Sequence, residues 1–341
     1  MTHASPGRAE DQLSEAKRYS SDFTRLWGYS VGFYGVWLIH VGRQTGLLEQ
    51  LSSGPLTLEE LIFRTGLYAP AVEAWCSATL AYGFIVKRKG KLQLKKHMHE
   101  LLIDRMNPKY LGGQFSYLAL RSQEYSAFEH LFRSGKTIRN APFSFALSAV
   151  EQATDWDHYA FLAAVRRRRK LSQLLSKGCR VLDVGCGTGS LLTKVNREYP
   201  QSTLVGIDPS EQAVIAARRI ASGSTITVMK QKAESMRFRN EFEIVYLGET
   251  LYAANDKSKV VSNCWQALKK DGIIAIVEGL LPESRFQNDT SRLIMGMQLD
   301  FALEGHKFMT KREITVLLKS RFSSIRFESL GGRVYLVTAA K

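Results

Sequence analysis

An α/β chain is expected, in which a mostly helical N-terminal region leads into a doubly wound sheet, and three observations point to it. The 341 residues suffice for two domains at roughly 150 residues each. A helix, turn, helix and hairpin pattern runs between Gly46 and Leu94, and from Cys179 onward β-branched runs alternate with helical stretches, the first closed by a glycine-rich turn. With 45% hydrophobic and 23% charged residues the chain has material for real cores, which excludes disorder or a fibrous repeat as its main state.

Met1 to Arg18 carries no apolar core between its charges, so no secretory signal is expected. From about Asp22 to Leu51 aromatic and aliphatic residues recur all round a helix, which must be covered by the rest of the chain or by a second subunit. Its most apolar part, Leu26 to Val41, is short for a bilayer and contains Tyr29, Ser30, Tyr34 and His40, so a buried or interface helix is expected instead of a span. A helix through Leu51 and a turn at Ser52 to Pro55 follow. Thr57 with Glu60 three residues on then forms a capping box opening a helix over Leu58 to Arg64. Gly66 closes it, a third helix runs from about Pro70 to Tyr82, and two short apolar runs flank Lys89-Gly90-Lys91. That order describes a winged helix.

Lys and Arg number 47 against 32 Asp and Glu, a net charge of +15, so an acidic partner has to be considered. A helix reading the major groove offers Arg, Lys, Asn or Gln to base edges. The third helix has Glu73 as its only charge, so direct base readout is not expected, although the hairpin is basic at Lys87, Arg88, Lys89 and Lys91. The excess is +6 within residues 1–150 and +9 in the remainder, spread along the chain and not gathered on one reading helix. Four cysteines, Cys76, Cys179, Cys186 and Cys264, lack any C-x-x-C pair, so neither a metal site nor a disulfide framework is suggested, and a reduced cytoplasmic setting is the simplest expectation.

Residues 1–103 are taken as the N-terminal domain, 104–176 as a helical connector and 177–341 as an α/β domain. The connector has aromatic punctuation at Phe115, Tyr117, Tyr125, Phe128, Phe132, Phe143 and Phe145. It ends in a helix around Trp156 to Leu175 whose run Arg166 to Lys170 is expected to be solvated. Arg180 to Val184 is then a strand, followed by Gly185-Cys186-Gly187-Thr188-Gly189, a helix over Ser190 to Tyr199, and a second strand ending in Asp208. This is a βαβ unit with a glycine-rich first turn, a nucleotide-binding arrangement of the doubly wound class. Glycines there let a ligand approach the backbone.

The turn reads D-x-G-x-G-x-G from Asp183 to Gly189, not the G-x-G-x-x-G of dinucleotide sites, and it resembles motif I of the class I S-adenosylmethionine-dependent methyltransferases. Asp208, 19 residues beyond Gly189, stands where a carboxylate can accept both ribose hydroxyls. The strand at Ile226 to Met229 leads to Lys232-Ala233, Phe242 to Leu247 is a fourth strand, and Leu268 to Gly272 resembles the family's turn into a fifth at Ile273 to Val277. The end of the chain resembles the family's C-terminal antiparallel hairpin. Taken with the winged helix and aromatic connector, the whole resembles the small-molecule O-methyltransferase family. That resemblance implies a Rossmann-like sheet, an S-adenosylmethionine cofactor, a small-molecule acceptor and a homodimer formed through the N-terminal domain. It implies cofactor contacts at Asp183, Gly185, Gly187, Gly189, Asp208, Ala233, Gly248 and Glu249, the last facing either the cofactor's amino end or the substrate.

The sequence departs from the family at two places. Lys232 stands where an acid usually meets the adenine amino group. Tyr252 stands where many members carry the histidine that removes the acceptor's proton, and a phenol with a pKa near 10 is a poor base. The acceptor is then already acidic or activated, another base serves, with His306 the nearest candidate, or the acceptor is not a hydroxyl. Met295, Met297 and Phe301 suit an apolar acceptor pocket, or are core. Carbon or nitrogen transfer is the alternative to oxygen, and a nucleic-acid-binding protein responsive to the cofactor is a rival from another class.

Overall fold

A computed structural model describes residues 6–107, 109–137, 144–283 and 288–341. The connector's Phe143 and the side chain of Phe145 lie outside the described residues. Contacts divide the chain into two units, one of Met1–Asp104 with Gln114–Ala119, the other of Arg105–Gly113 with Leu120–Lys341.

The first unit starts with the long helix α1 (Pro6–Gln44), followed by α2 (Leu47–Ser53), α3 (Leu58–Thr65), α4 (Ala69–Ala81), the hairpin β1 (Ile85–Arg88) and β2 (Lys91–Leu94), and α5 (Lys96–Leu102). The capping box forms as expected: Glu60 N–H donates to Thr57 Oγ1 at 3.1 Å while Thr57 N–H donates to Glu60 Oε2 at 2.7 Å. Leu48, Leu51, Leu61, Val72, Trp75 and Ile85 make its core, so α4 is a packing helix. The C-terminal half of α1 is anchored, with Trp75 Nε1 donating to Leu38 O at 2.9 Å and Tyr82 Oη to Val31 O at 2.8 Å. Its earlier turns expose Tyr19, Phe23, Leu26, Trp27, Tyr29 and Tyr34. No described helix is long and apolar enough to cross a membrane.

Between the hairpin region and the sheet run α6 (Gly112–Ser122), α7 (Ser126–Ser134), α8 (Ser144–Arg167) and α9 (Arg169–Lys177). The single helix expected around Trp156 to Leu175 is thus two, parted at Arg168, whose φ of −101° and ψ of 95° are extended. The arginine run is solvated as expected, with Arg166, Arg167, Arg169 and Lys170 exposed, and ion pairs tie part of it down. Arg166 pairs with Glu198 at 2.6 Å, and Arg167 and Arg168 share Glu328 at 2.7 Å each. The planar guanidinium fork, which can grip a carboxylate with two donors, accounts for that.

The sheet proper comprises β3 (Arg180–Val184), β4 (Thr203–Asp208), β5 (Ile226–Lys230), β6 (Phe242–Gly248), β7 (Leu268–Gly279), β8 (Ser323–Gly331) and β9 (Val334–Ala340). Their order is β5-β4-β3-β6-β7-β9-β8. The first five are parallel, β9 runs antiparallel to β7, and β8 antiparallel to β9. The expected turn at Leu268 to Gly272 is absorbed into β7, with Asp271 at φ 62° beside a register shift on β6. One face of the sheet packs on α8, α9, α10 (Ser190–Glu198) and α11 (Glu211–Ala221) through residues such as Phe161, Leu175, Leu192 and Val214. The other packs on α12 (Lys257–Ala267) and α14 (Lys311–Lys319) through Val260, Cys264, Ile314 and Leu318, and α13 (Asp289–Ala302) precedes α14. The strand order reverses between β3 and β6, and the carboxyl ends at such a reversal form the crevice in which open α/β sheets bind ligands.

Candidate functional site

The turn after β3 is held by main-chain hydrogen bonds. Gly185 N–H and Cys186 N–H both donate to Ile207 O, at 2.8 and 3.0 Å. Its three glycines, all at positive φ, answer to different demands. A Cβ on Gly185 would lie 2.3 Å from Thr250 Oγ1, one on Gly189 3.2 Å from Ala217 Cβ, and one on Gly187 would meet nothing within 4 Å. Two of the three are therefore packing positions as well. Packing of the turn against Thr250 and α11 requires Gly185 and Gly189, and only Gly187 faces open space. Gly248, placed with the cofactor contacts, is likewise constrained by packing, since a Cβ there would lie 2.4 Å from Tyr246 Oη.

Asp208 ends β4 with its carboxylate aimed back at the turn. Its Oδ2 accepts from Gly187 N–H at 3.0 Å and its Oδ1 from Ser210 N–H at 2.8 Å. Each oxygen keeps a further lone pair. Ala233 opens a short 3₁₀ turn, pinned by Asn263 Nδ2 donating to Ala233 O at 3.0 Å and Glu234 O at 2.8 Å.

Four carboxyl groups gather next to this turn, and two of them, Asp157 and Glu278, had no place in the sequence reading. Asp183, Asp157 of α8 and Glu278 of β7 are buried, and Glu249 is half-buried. Burial and neighbouring Asp208 push Asp183 up to about 8. Burial, with Glu249 adding to it, pushes Glu278 up to about 8. Glu249 rises to about 7 through burial, opposed by the N–H of Gly279, which donates to its Oε1 at 2.8 Å. Asp157 rises through burial and then through Glu249. Glu278 Oε1 accepts from the N–H groups of Leu251 and Tyr252, while its Oε2 and the Tyr246 hydroxyl have no hydrogen-bond partner. The acid closing the apolar run Ile273 to Val277 was the available signal for Glu278; Asp157 carried none.

The third part is an aromatic corner. The Tyr252 ring stacks on Phe301 at 4.8 Å and 22°, with Phe308 at 5.2 Å and His306 at 6.2 Å. The structure thus brings Tyr252, Phe301 and His306 together, and Met297 packs on the same cluster, whereas Met295 is 53% exposed. Burial first, then Glu249 and Glu278, push the Tyr252 phenol well above its ordinary value, so it holds its proton more firmly than a free tyrosine. Beside it, Arg121 is buried among three acids, pairing with Glu124, with Asp300 at 3.0 Å and with Glu304 at 3.0 Å. Glu304 Oε2 lies 3.9 Å from His306 Nε2. Among the described residues no group of His, Cys, Asp and Glu could hold a metal ion.

Comparison with known proteins agrees with this geometry. Residues 175–315 match the family described as methyltransferase domain. Over 336 residues the chain is 24% identical to the 3-hydroxy-5-methyl-1-naphthoate 3-O-methyltransferase of Streptomyces sahachiroi, covering 90% of this chain and 92% of that one. A ubiquinone biosynthesis O-methyltransferase of Rhodopseudomonas palustris is 31% identical over 118 residues, 33% of this chain and 46% of the relative. The solved structure of human N-acetylserotonin methyltransferase in complex with SAM matches with a TM-score of 0.68 at 19% identity, over 94% of this chain and 97% of that one, a likeness of fold.

Proposed function

We propose, from the methyltransferase domain at residues 175–315 as premise, that the chain transfers a methyl group from S-adenosylmethionine to a small, mostly apolar or aromatic molecule, with a hydroxyl oxygen as acceptor. The observation that carries this reading is the glycine turn bound to Asp208: a carboxylate with spare lone pairs, fixed by Gly187 N–H at 3.0 Å beside a position open to a ligand. The neighbouring carboxyls fit the same cofactor. Among the described residues Asp157, Asp183, Glu249 and Glu278 pair with no lysine or arginine, and Glu278 Oε2 is orphaned. Buried acids without a counter-charge are costly, and this cofactor brings an ammonium and a sulfonium.

When bound, the cofactor supplies an electrophilic methyl group. Asp208 would hold the ribose, Gly185, Gly187 and Gly189 the approach to it, Ala233 the adenine side, and Asp183, Gly248 and Glu249 the amino-acid end. The stacked rings of Tyr252 and Phe301, with Phe308 tilted against them, exclude water and orient a flat acceptor, with His306 at their edge; Met297 backs them, and Met295 extends the rim. Alignment of this kind can lower a barrier by about 7 kcal/mol or more. Tyr252 keeps its proton and donates a hydrogen bond.

Because no strong base occupies the Tyr252 position, transfer to nitrogen or carbon is the second reading. The exposed aromatic row of α1 supports a homodimer through the N-terminal unit, and the lack of any basic residue on α4 speaks against a nucleic-acid partner. Titration calorimetry with S-adenosylmethionine, followed by labelled methyl transfer to a panel of phenols, aryl amines and carbon acids, tests the function. No cofactor binding would sink it, and a labelled amine or carbon with unlabelled phenols would select the second reading. Light scattering should give a dimer that Phe23→Ser with Trp27→Ser disperses.

A further inference from the structure

His306 lies in the turn that follows α13, and its main chain is fixed by two hydrogen bonds. Its N–H donates to Phe301 O at 3.0 Å, and its carbonyl accepts from Gln298 Nε2 at 3.2 Å. Gln298 Oε1 accepts in turn from Phe308 N–H at 2.7 Å, so one side chain of α13 spans the turn and sets where the imidazole starts. The ring stands edge-on to Tyr252, with centroids 6.2 Å apart and planes at 72°. Its Nε2 is 3.9 Å from Glu304 Oε2, an ion-pair distance once the imidazole carries a proton. The other oxygen of Glu304, Oε1, is 3.0 Å from Arg121 Nη1. Arg121 is itself anchored by Asp300 of α13 at 3.0 Å and by Glu124. The side chain of Arg121 is 3% exposed, that of Glu304 32% and that of His306 25%. A buried cation thus holds a half-buried carboxylate, which faces a histidine that a ligand can reach. The charged and titratable groups around His306 are Glu304 on its own turn, Arg121 and Glu124 from α6 and its end, Asp300 from α13 and Tyr252 after β6, while Lys307 beside it pairs with Glu313 at 3.5 Å.

We propose that His306 takes the proton that the acceptor hydroxyl loses, and that Glu304, held by Arg121, is the positioning residue that turns and charges the imidazole for that task. This deepens the function proposed above and rests on its reading of a hydroxyl acceptor lying on the rings. The acceptor O–H bond breaks with its electrons left on oxygen, and the proton goes to the imidazole of His306. That oxygen forms the new O–C bond, and the C–S bond of the cofactor breaks with its electrons going to sulfur. The imidazolium so formed is offset by the Glu304 carboxylate 3.9 Å away, and it passes its proton to water afterwards. Histidine takes and releases a proton within the neutral range, which the firmly protonated Tyr252 beside it does not. A base oriented by a third group is the usual arrangement in such sites. Arg121 occupies one oxygen of Glu304, so the other is the one presented to the ring.

Two readouts test this, and the first needs no acceptor. With isotope-labelled histidine, the nuclear magnetic resonance signal lost in His306→Asn is that of His306. Its titration midpoint, followed with S-adenosylhomocysteine bound, should move to lower pH in Glu304→Gln, because a carboxylate opposite an imidazolium favours the charged form. An unmoved midpoint overturns the positioning role. The second readout is labelled methyl transfer to the panel of phenols. His306→Asn should lower kcat by about a hundredfold or more on the least acidic phenol labelled, the size of a general base's contribution. The loss should shrink as the phenols become more acidic, since an acceptor already ionised needs no base. Glu304→Gln should lose less, with the acid limb of its pH profile moved in the same direction as the imidazole. Melting temperatures with S-adenosylhomocysteine bound report that both variants are folded. A loss in His306→Asn that is absent, or equal for all phenols, overturns the proposal. If the natural chain binds the cofactor yet labels no phenol, the hydroxyl reading fails and the base falls with it; if no cofactor binds, the proposed function itself fails.

Discussion

The glycine turn follows the carboxyl end of β3 and the Tyr252 segment of the aromatic corner that of β6, neighbouring strands of one sheet, and the two are built in opposite ways. The turn is held by main-chain groups, with Gly185 and Cys186 donating to Ile207 O and Gly187 donating to Asp208. The corner is held by side chains from distant segments, with Tyr252 against Phe301 and Phe308 and Arg121 gripping Glu124, Asp300 and Glu304. A site made of backbone binds any ligand with the right outline of donors and acceptors. A site made of side chains can be re-cut one residue at a time, so the first suits a common cofactor and the second a particular acceptor.

The largest expected effect breaks the corner. Arg121→Ala strands three acids around an empty position, and removing one partner of a buried ion pair costs about 3 to 5 kcal/mol. Urea unfolding should show a loss of that size, and a loss below about 1 kcal/mol, the range of exposed pairs, would mean the network is solvated. Next comes the turn. Asp208→Ala removes the acceptor of Gly187 N–H and the expected ribose contact; at about 2 kcal/mol for hydrogen bonds to a charged group, cofactor affinity should fall roughly thirtyfold. Calorimetry giving unchanged affinity would remove Asp208 from the cofactor site.

Acidity separates the two regions further. Asp183 and Glu278 are pushed up to about 8 and Glu249 to about 7, against about 4 for unfolded carboxyls. Between those values the folded chain binds more protons than the unfolded one, so the stability these groups lend is full below about pH 4 and is lost as pH rises towards about 8. Melting temperature without ligand should therefore drop from pH 5 to pH 8, and saturating S-adenosylmethionine should flatten the drop. A melting temperature independent of pH over that window contradicts the raised acids. The smallest effect is at Tyr252. Tyr252→Phe keeps the ring stack and should lower kcat by less than about fivefold, whereas a general base typically contributes about a hundredfold or more. A loss of that larger size would return Tyr252 to proton abstraction.

The parallel strands were readable because each is a short β-branched or aliphatic run, and β3, β4, β6 and β7 close at a glycine or an acid, as at Val184 and Asp208. The capping box at Thr57 and Glu60 was readable for the same reason: residues three apart decide it. The break at Arg168 was not, because a run of good helix formers continues through it and only the ion pairs to Glu328 explain the turn. Nor did the glycine pattern tell which member faces open space. That depends on Thr250 and Ala217, which lie 65 and 28 residues from the glycines they crowd.

Local chemistry by itself determined the order of strands and helices, the turn from Asp183 to Gly189 and the carboxylate that answers it at Asp208, since backbone conformation and alternation of side chains are set within a few residues. Tertiary structure alone decided that Asp157 and Glu278 join Glu249, that His306 meets Tyr252, and that Met295 and Met297 part company. The reason is electrostatic and steric: whether a carboxyl is enclosed, paired or open to a ligand is a property of the space that several segments create together, and no one of them carries it.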